Sequence, residues 1–235
     1  MNFFDALIIN FFNHFSRISW TADYTISFVS ENQLIKGVIL ILIYWWAWFR
    51  ADKNQTAIHR HIISTFLGCF IAMVLARGLA LTLPFRLRPL HDATVHFLLP
   101  YGMRPGALEG WSSFPSDHAV LFYALSTGMF YISKKIGIFA VIYTTLLIGL
   151  PRIYLGLHYP TDIFGGAVVG VYIVFLCNSR AFIDKISTPI LGWSRTNPEI
   201  FYPLFFLITY QIADMFVSSR EFFGFFKSIL HAMNI

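Results

Sequence analysis

The chain has 235 residues, of which 57% are hydrophobic and only 12% charged, with 26 Phe. Soluble globular domains hold about 45–50% apolar and about 25% charged residues, so this composition excludes an ordinary soluble domain and marks an integral membrane protein, read as one domain over residues 1–235. The net charge of +5 sits mostly in short loops between apolar runs, which suits lipid headgroups and topology, and no basic run supports a nucleic-acid partner.

The elements are expected to be helical throughout: an all-α, polytopic membrane bundle of about six spans with interfacial helices at both ends. Residues 2–16 set Phe, Leu and Ile on one side of a helix and fall short of a span, although their insertion would raise the count to seven. The opening residues carry Asp5 and no Lys or Arg, a poor secretory leader, so insertion is expected to rest on internal segments. Residues 34–49 form the first span and end in Tyr44, Trp45, Trp46 and Trp48, read as an interfacial belt. Residues 62–83 form the second span, interrupted only by Arg77, for which Asp214 is the candidate ion-pair partner. A long polar stretch follows, 84–115. Residues 117–133, 136–151 and 162–177 are the next spans, the last with Gly165, Gly166 and Gly170 for close helix approach. The 187–198 stretch reads as a loop, 200–217 as the sixth span and 221–233 as an interfacial helix. Cys69 and Cys177 lie in apolar runs without metal-type spacing and read as core.

The 50–61, 134–135 and 179–197 connections share one face and carry most of the lysines and arginines not assigned to chemistry, which makes that face cytoplasmic. The 84–115 and 152–161 segments then face outward. Three polar stretches meet there: Arg88-Pro89, Pro115-Ser116-Asp117-His118, and Arg152 through Asp162. Ionisable groups at a membrane boundary are unfavourable unless paired, so their concentration points to function. Arg88 and Arg152 offer guanidinium forks that match phosphate oxygens. Ser116 adds a hydroxyl, and the helix start at Asp117 and His118 adds free N–H groups. His158 and Asp162, four residues apart, suit a nucleophilic imidazole oriented by a carboxylate. His118, from a different helix, suits a general acid that later serves as base. The expected chemistry is phosphoryl transfer through a phosphohistidine, with arginines neutralising charge and neither metal nor cofactor required. His91, Asp92 and His96 read as polar lid residues, and His59 and His61 as solvated or headgroup-facing.

These stretches resemble the three signatures of the type-2 phosphatidic acid phosphatase superfamily, KxxxxxxRP, PSGH and SRxxxxxHxxxD. Arg152, His158 and Asp162 match the third in spacing; Pro115-Ser116-Asp117-His118 matches the second with Asp for Gly; Arg88-Pro89 keeps the end of the first. Leu81 stands where the first motif has Lys, so Arg77 or Arg86 is expected to supply that cation, and Pro151 replaces the Ser before Arg152. The resemblance covers residues 60–180. It implies a membrane lipid phosphatase with His158 as nucleophile, Asp162 orienting it, His118 as acid, and Arg88, Ser116, Asp117 and Arg152 holding phosphate. The PSDH variant is most similar to the undecaprenyl diphosphate phosphatase branch, which implies a bacterial inner-membrane enzyme whose site faces outward. A phosphatidic acid or phosphatidylglycerophosphate phosphatase, a lipid phosphotransferase on the same scaffold, and a non-catalytic lipid-binding protein are the rival readings. Oligomeric state is not legible.

Overall fold

The computed structural model describes residues 2–232 and is all helical, with no strand among them. Met233, the last residue of the predicted C-terminal helix, lies outside the described residues. The helices are α1 (Phe3–Asn13), α2 (Trp20–Glu31), α3 (Ile39–Phe49), α4 (Gln55–Thr82), α5 (Asp117–Met129), α6 (Lys134–Thr144), α7 (Leu150–Tyr154), α8 (Pro160–Cys177), α9 (Arg180–Phe182), α10 (Thr188–Thr196), α11 (Pro198–Ala213) and α12 (Val217–Ala232). Single π turns lead into α3 at Leu34–Val38 and join α6 to α7 at Thr145–Gly149.

Among the described residues, three helical segments are long and apolar enough to cross a bilayer: Gln55–Thr82, Lys134–Tyr154 and Pro160–Cys177. The number rises to five if two bent pairs each count as one span: Trp20–Glu31 with Leu34–Phe49, bent by 60°, and Pro198–Ala213 with Val217–Phe225, bent by 93°. The predicted span at 117–133 is a 13-residue helix, about 20 Å long against a hydrocarbon core of about 30 Å. α5 is apolar because protein surrounds it. Val120, Leu121, Phe122, Ala124 and Leu125 are all fully buried, and α4, α6 and α8 pack around it. α1 has 11 residues, about 16 Å, too short to span, and docks on α7 and α8.

The closest packing lies between α5 and α8, and glycine makes it possible. A Cβ at Gly170 would fall 2.1 Å from the Val120 carbonyl oxygen, and one at Gly166 would fall 2.7 Å from that of Ser116. This approach sets the two helix N-termini side by side, and the motif histidines sit at those N-termini. On the outer surface Phe164, Phe175 and Phe206 stay exposed, as lipid-facing side chains do.

Several expectations change. Tyr44 and Trp48 are buried in the core, and the aromatic cluster spends its polar atoms between helices. Tyr44 Oη donates to the Leu125 carbonyl at 2.6 Å, Trp45 Nε1 to Thr209 at 3.2 Å and Trp48 Nε1 to Tyr202 at 3.3 Å. A buried N–H or O–H needs such a partner. His59 stacks on Trp48 and meets its carbonyl at 2.7 Å, and His61 meets Asn178 at 2.9 Å, so neither side chain is free in solvent. The 187–198 stretch is the helix α10, with Pro189 in its first turn, where a missing N–H does no harm.

Gly170→Ala is expected to destabilise by about 1–3 kcal/mol, because the new methyl meets backbone instead of a movable side chain. A lowered thermal midpoint of the detergent-solubilised protein is the check; an unchanged midpoint contradicts the packing argument.

Candidate active site

The third motif folds into the turn between α7 and α8. Gly156, at φ 68°, makes that turn, and a Cβ there would strike the Phe97 ring at 2.6 Å. The turn presents His158 with its side chain buried. Its Nδ1 lies 2.9 Å from the Ser113 carbonyl oxygen. A carbonyl only accepts, so Nδ1 carries the proton and Nε2 keeps its lone pair. Nε2 faces the Arg88 guanidinium, whose Nη1 is 3.2 Å away.

Asp162 stands behind this pair. Its carboxylate is 3.8 Å from His158 Nδ1, too far for the direct hydrogen bond expected from the i, i+4 spacing. Ser113 intervenes: its carbonyl holds the imidazole while its hydroxyl donates to Asp162 Oδ2 at 2.5 Å. The Tyr159 N–H donates to the same oxygen at 2.8 Å, capping α8. Burial holds the His158 imidazole below its ordinary value; the Asp162 carboxylate opposes that shift and the Arg88 charge adds to it.

Arg86 completes the support. Its Nη1 donates to Asp162 Oδ1 at 2.5 Å and its Nη2 to Asp5 Oδ2 at 2.7 Å. Asp5, fully buried on α1, also accepts from the Thr161 N–H at 3.0 Å and its hydroxyl at 2.7 Å. Arg86 is thus committed to two carboxylates behind the imidazole. The structure does not bring it to the cavity wall.

The cavity itself has a volume of about 600 Å³ and is lined by His118, His158, Arg88, Arg77, Asp117 and Arg220, among others. Arg88 enters from the 84–115 segment and donates to the Leu157 carbonyl at 2.6 Å and the Ser112 carbonyl at 3.2 Å. Burial lowers its pKa to about 10, so it stays charged at neutral pH. Arg152, on α7, donates to the Ser30 carbonyl at 3.2 Å and contacts His118 Nε2 directly. The Nε atoms of Arg88 and Arg152 are both buried without a protein partner. Orphaned buried donors are rare and call for an acceptor. A phosphate oxygen fits that description.

The second motif opens α5. Ser116 is fully buried as its N-cap, with the hydroxyl 3.5 Å from the Ala119 N–H, and its own N–H donates to the Asp162 carbonyl at 3.2 Å. Its hydroxyl is thus turned to the helix start. Asp117 pairs directly with Arg77, which also lies over the Trp111 ring at 4.5 Å. Arg77 therefore does not pair with Asp214, whose carboxylate instead caps α12 at Ser218. The 91–96 residues read as lid residues go separate ways: His91 meets the Ala107 carbonyl, while Asp92 holds Thr94 and Tyr159. Among the described residues no cluster of three His, Cys, Asp or Glu could hold a metal ion.

The structure thus gathers His118, His158, Arg88, Arg152, Asp117 and Arg77, with Asp162 behind them. Reading the sequence missed Asp5, Ser113, Lys36 and Arg220. Ser113 acts through a backbone carbonyl, which leaves no side-chain signature. Lys36 is buried within the π turn before α3, its amine in electrostatic range of His118 and Arg152. A lone Lys at the head of an apolar run was its only signal.

A membrane-embedded helical bundle with a lone-pair imidazole and orphaned guanidinium donors around one cavity is the apparatus of a phosphoryl-transfer enzyme. Residues 63–183 match the PAP2 superfamily, and the chain belongs to it: it is a membrane phosphatase of the lipid phosphatase family. Undecaprenyl-diphosphatase BcrC of Bacillus subtilis (strain 168) is 30% identical over 164 residues, which cover 68% of this chain and 77% of that protein. The bacitracin transport permease protein BcrC of Bacillus licheniformis is 26% identical over 61% of this chain and 64% of its own length. Phosphatidylglycerophosphatase B of Bacillus subtilis (strain 168) is 33% identical over a shorter stretch, 33% of this chain and 42% of that protein. No solved structure is significantly similar to the chain.

Arg86→Ala would leave the buried Asp5 and Asp162 carboxylates without their shared cation. A loss of about 3–5 kcal/mol is expected. Thermal unfolding of the variant in detergent reads this directly, and wild-type stability would show the bridge to be dispensable.

Proposed function

We propose that the protein is a single-domain lipid diphosphatase that releases the terminal phosphate of undecaprenyl diphosphate at the outer face of a bacterial inner membrane. The observation that carries this reading is the imidazole of His158, fixed with Nε2 unprotonated beside Arg88 and across the cavity from His118. The 30% identity to an undecaprenyl-diphosphatase supports the choice of substrate. The outward orientation rests on the basic loops of the opposite face.

In the first step His158 Nε2 attacks the terminal phosphorus. A P–N bond forms as the bridging P–O bond breaks, and the departing lipid phosphate takes a proton from His118. Arg88 and Arg152 hold the phosphoryl oxygens, with the first-turn N–H groups of α5. Substrate oxygens draw the Arg152 guanidinium away from His118 Nε2, which frees that nitrogen to carry the proton. In the second step water attacks the phosphohistidine, His118 takes the proton, and inorganic phosphate leaves. Asp162, through Ser113, keeps the imidazole in place and balances its positive charge in the intermediate. Ser116 shapes the helix start that binds phosphate, and of the two candidate cations Arg77 is the one that reaches the cavity. Arginines supply the charge neutralisation, so turnover is expected to persist in EDTA.

The local identity to phosphatidylglycerophosphatase B supports a second reading, in which the substrate is a glycerolipid phosphate. Phosphate release by the purified protein from undecaprenyl diphosphate, undecaprenyl phosphate, phosphatidic acid and phosphatidylglycerophosphate separates the two. Preference for the diphosphate is expected; preference for a glycerolipid overturns the carrier-lipid assignment. Release from none of them would favour phosphotransfer to another acceptor.

His158→Asn is expected to abolish turnover and to lose the acid-labile phosphoenzyme that rapid quench traps in the wild type. Substantial residual activity would remove His158 as nucleophile. The pH dependence has a defined sign. Attack needs neutral His158, and burial holds its pKa below the ordinary 6.5. Activity should therefore survive below that pH, with the acid limb of kcat/KM lying under it.

A further inference from the structure

A second cavity, of about 800 Å³, adjoins the catalytic one. Its walls are mostly apolar, with Phe70, Met73, Val74, Leu81, Phe85 and Phe216 among them. The two cavities share Arg77, Ala80, Trp111, Ser112 and Arg220. Two guanidinium groups therefore stand at the place where an apolar groove runs into a phosphate-handling site.

The position of Arg220 is built by the fold. α12 leaves α11 at 93°, through a corner at Met215 and Phe216. Both residues are held in the left-handed region, at φ 55° and 58°, a conformation that disfavours side chains of this size. Asp214 locks the corner by capping Ser218 at its N–H and hydroxyl, 2.7 and 2.6 Å away. The result is that the first turn of α12 lies across the cavity mouth, with Met215, Arg220, Glu221 and Phe223 in the catalytic wall. Arg77, opposite, is oriented by Asp117 and by the Trp111 ring. Among the described residues the Arg220 guanidinium forms no ion pair, so its donors are available to a ligand at the mouth.

We propose that Arg77 and Arg220 form a second anion site that binds the lipid-proximal phosphate of a diphosphate substrate, making Arg220 a determinant of diphosphate over monophosphate specificity. The inference rests on the diphosphatase reading and deepens it. When His158 attacks the terminal phosphorus, the electron pair of the broken P–O bond stays on the proximal phosphate, which gains negative charge. A cation already at that point stabilises the leaving group in the transition state as well as in the bound substrate. A lipid monophosphate departs as an alcohol after taking one proton, and it places no anion at the junction. The apolar groove beyond the two arginines takes the first part of the tail in either case.

The test compares farnesyl diphosphate with farnesyl monophosphate, which differ only in the proximal phosphate. The ratio of their kcat/KM values is expected to fall about tenfold in Arg220→Ala, the loss of one charge-assisted contact. Arg220→Lys, which keeps the charge without the fork, is expected to retain most of the ratio. An unchanged ratio in Arg220→Ala overturns the proposal, whether the absolute rates hold or fall together. Binding of inorganic diphosphate and inorganic phosphate to the same purified proteins gives a readout free of turnover. Wild type should prefer diphosphate, and Arg220→Ala should lose most of that preference. If lipid hydrolysis fails altogether but this preference and its loss are seen, the anion site stands and the diphosphatase reading falls. Equal affinity of wild type for the two anions refutes the site.

Discussion

The site depends on a buried carboxylate that is fully accounted for. Asp162 has no solvent exposure, and an ionised carboxylate in such a place is tolerable only with donors and a countercharge around it. It receives the Ser113 hydroxyl, the Tyr159 N–H and the Arg86 guanidinium. Each donor fixes something else in turn. Ser113 is pinned so that its carbonyl meets His158 Nδ1. Tyr159 is pinned as the cap that starts α8. Arg86 is pinned between Asp162 and Asp5, which draws α1 onto the same node. The tautomer of one imidazole, the start of one helix and the docking of another thus follow from one charge.

The same logic explains how far the site was legible. The third motif is a spacing, and spacing survives in sequence: Arg152, His158 and Asp162 fall on one turn and one helix start because the intervening residues are local. The relation between His158 and Asp162 was less legible. Four residues suggested direct contact, but the chain between them includes a turn and Pro160, and the carboxylate ends 3.8 Å away with Ser113 between. Ser113 acts by a main-chain oxygen that any residue would carry. Arg86 reads as a phosphate ligand because Leu81 stands where the first motif has Lys and a nearby cation is expected to replace it. In an extended segment residues two apart share a side, but between Leu83 and Pro89 the chain is neither strand nor helix, and the two guanidinium groups diverge. The partner that takes Arg86 lies 81 residues away on α1.

The helices show a related limit. Hydropathy separates apolar surroundings from water, but it cannot tell lipid from protein. α5 reads as a span, yet it is short and enclosed, with α4, α6 and α8 taking the place of lipid around it. The aromatic run at 44–48 reads as a membrane belt because Trp and Tyr suit an interface, and the same amphipathic rings suit a helix junction that supplies acceptors. In both cases the local preference was real and tertiary packing decided where it was spent. The three glycines of α8 were legible because their absence of side chain has one main use in an apolar helix. Two of them, Gly166 and Gly170, serve the expected contact with α5, and Gly165 makes room for the Phe114 ring.

The family match ends at residues 63 and 183, and the charge balance of the cavity does not. Asp5 holds Arg86 from one flank, and the Ser30 carbonyl holds Arg152. Lys36 is buried in the turn before α3, and Arg220 reaches the mouth from the opposite flank. The matched core carries the His158 imidazole and the two motif arginines, a set suited to any phosphate monoester. The flanks decide what surrounds it: how tightly the supporting carboxylates are neutralised and which side chains stand at the cavity mouth. The groups that neutralise the supporting carboxylates and that stand at the cavity mouth therefore lie outside the stretch that identifies the family.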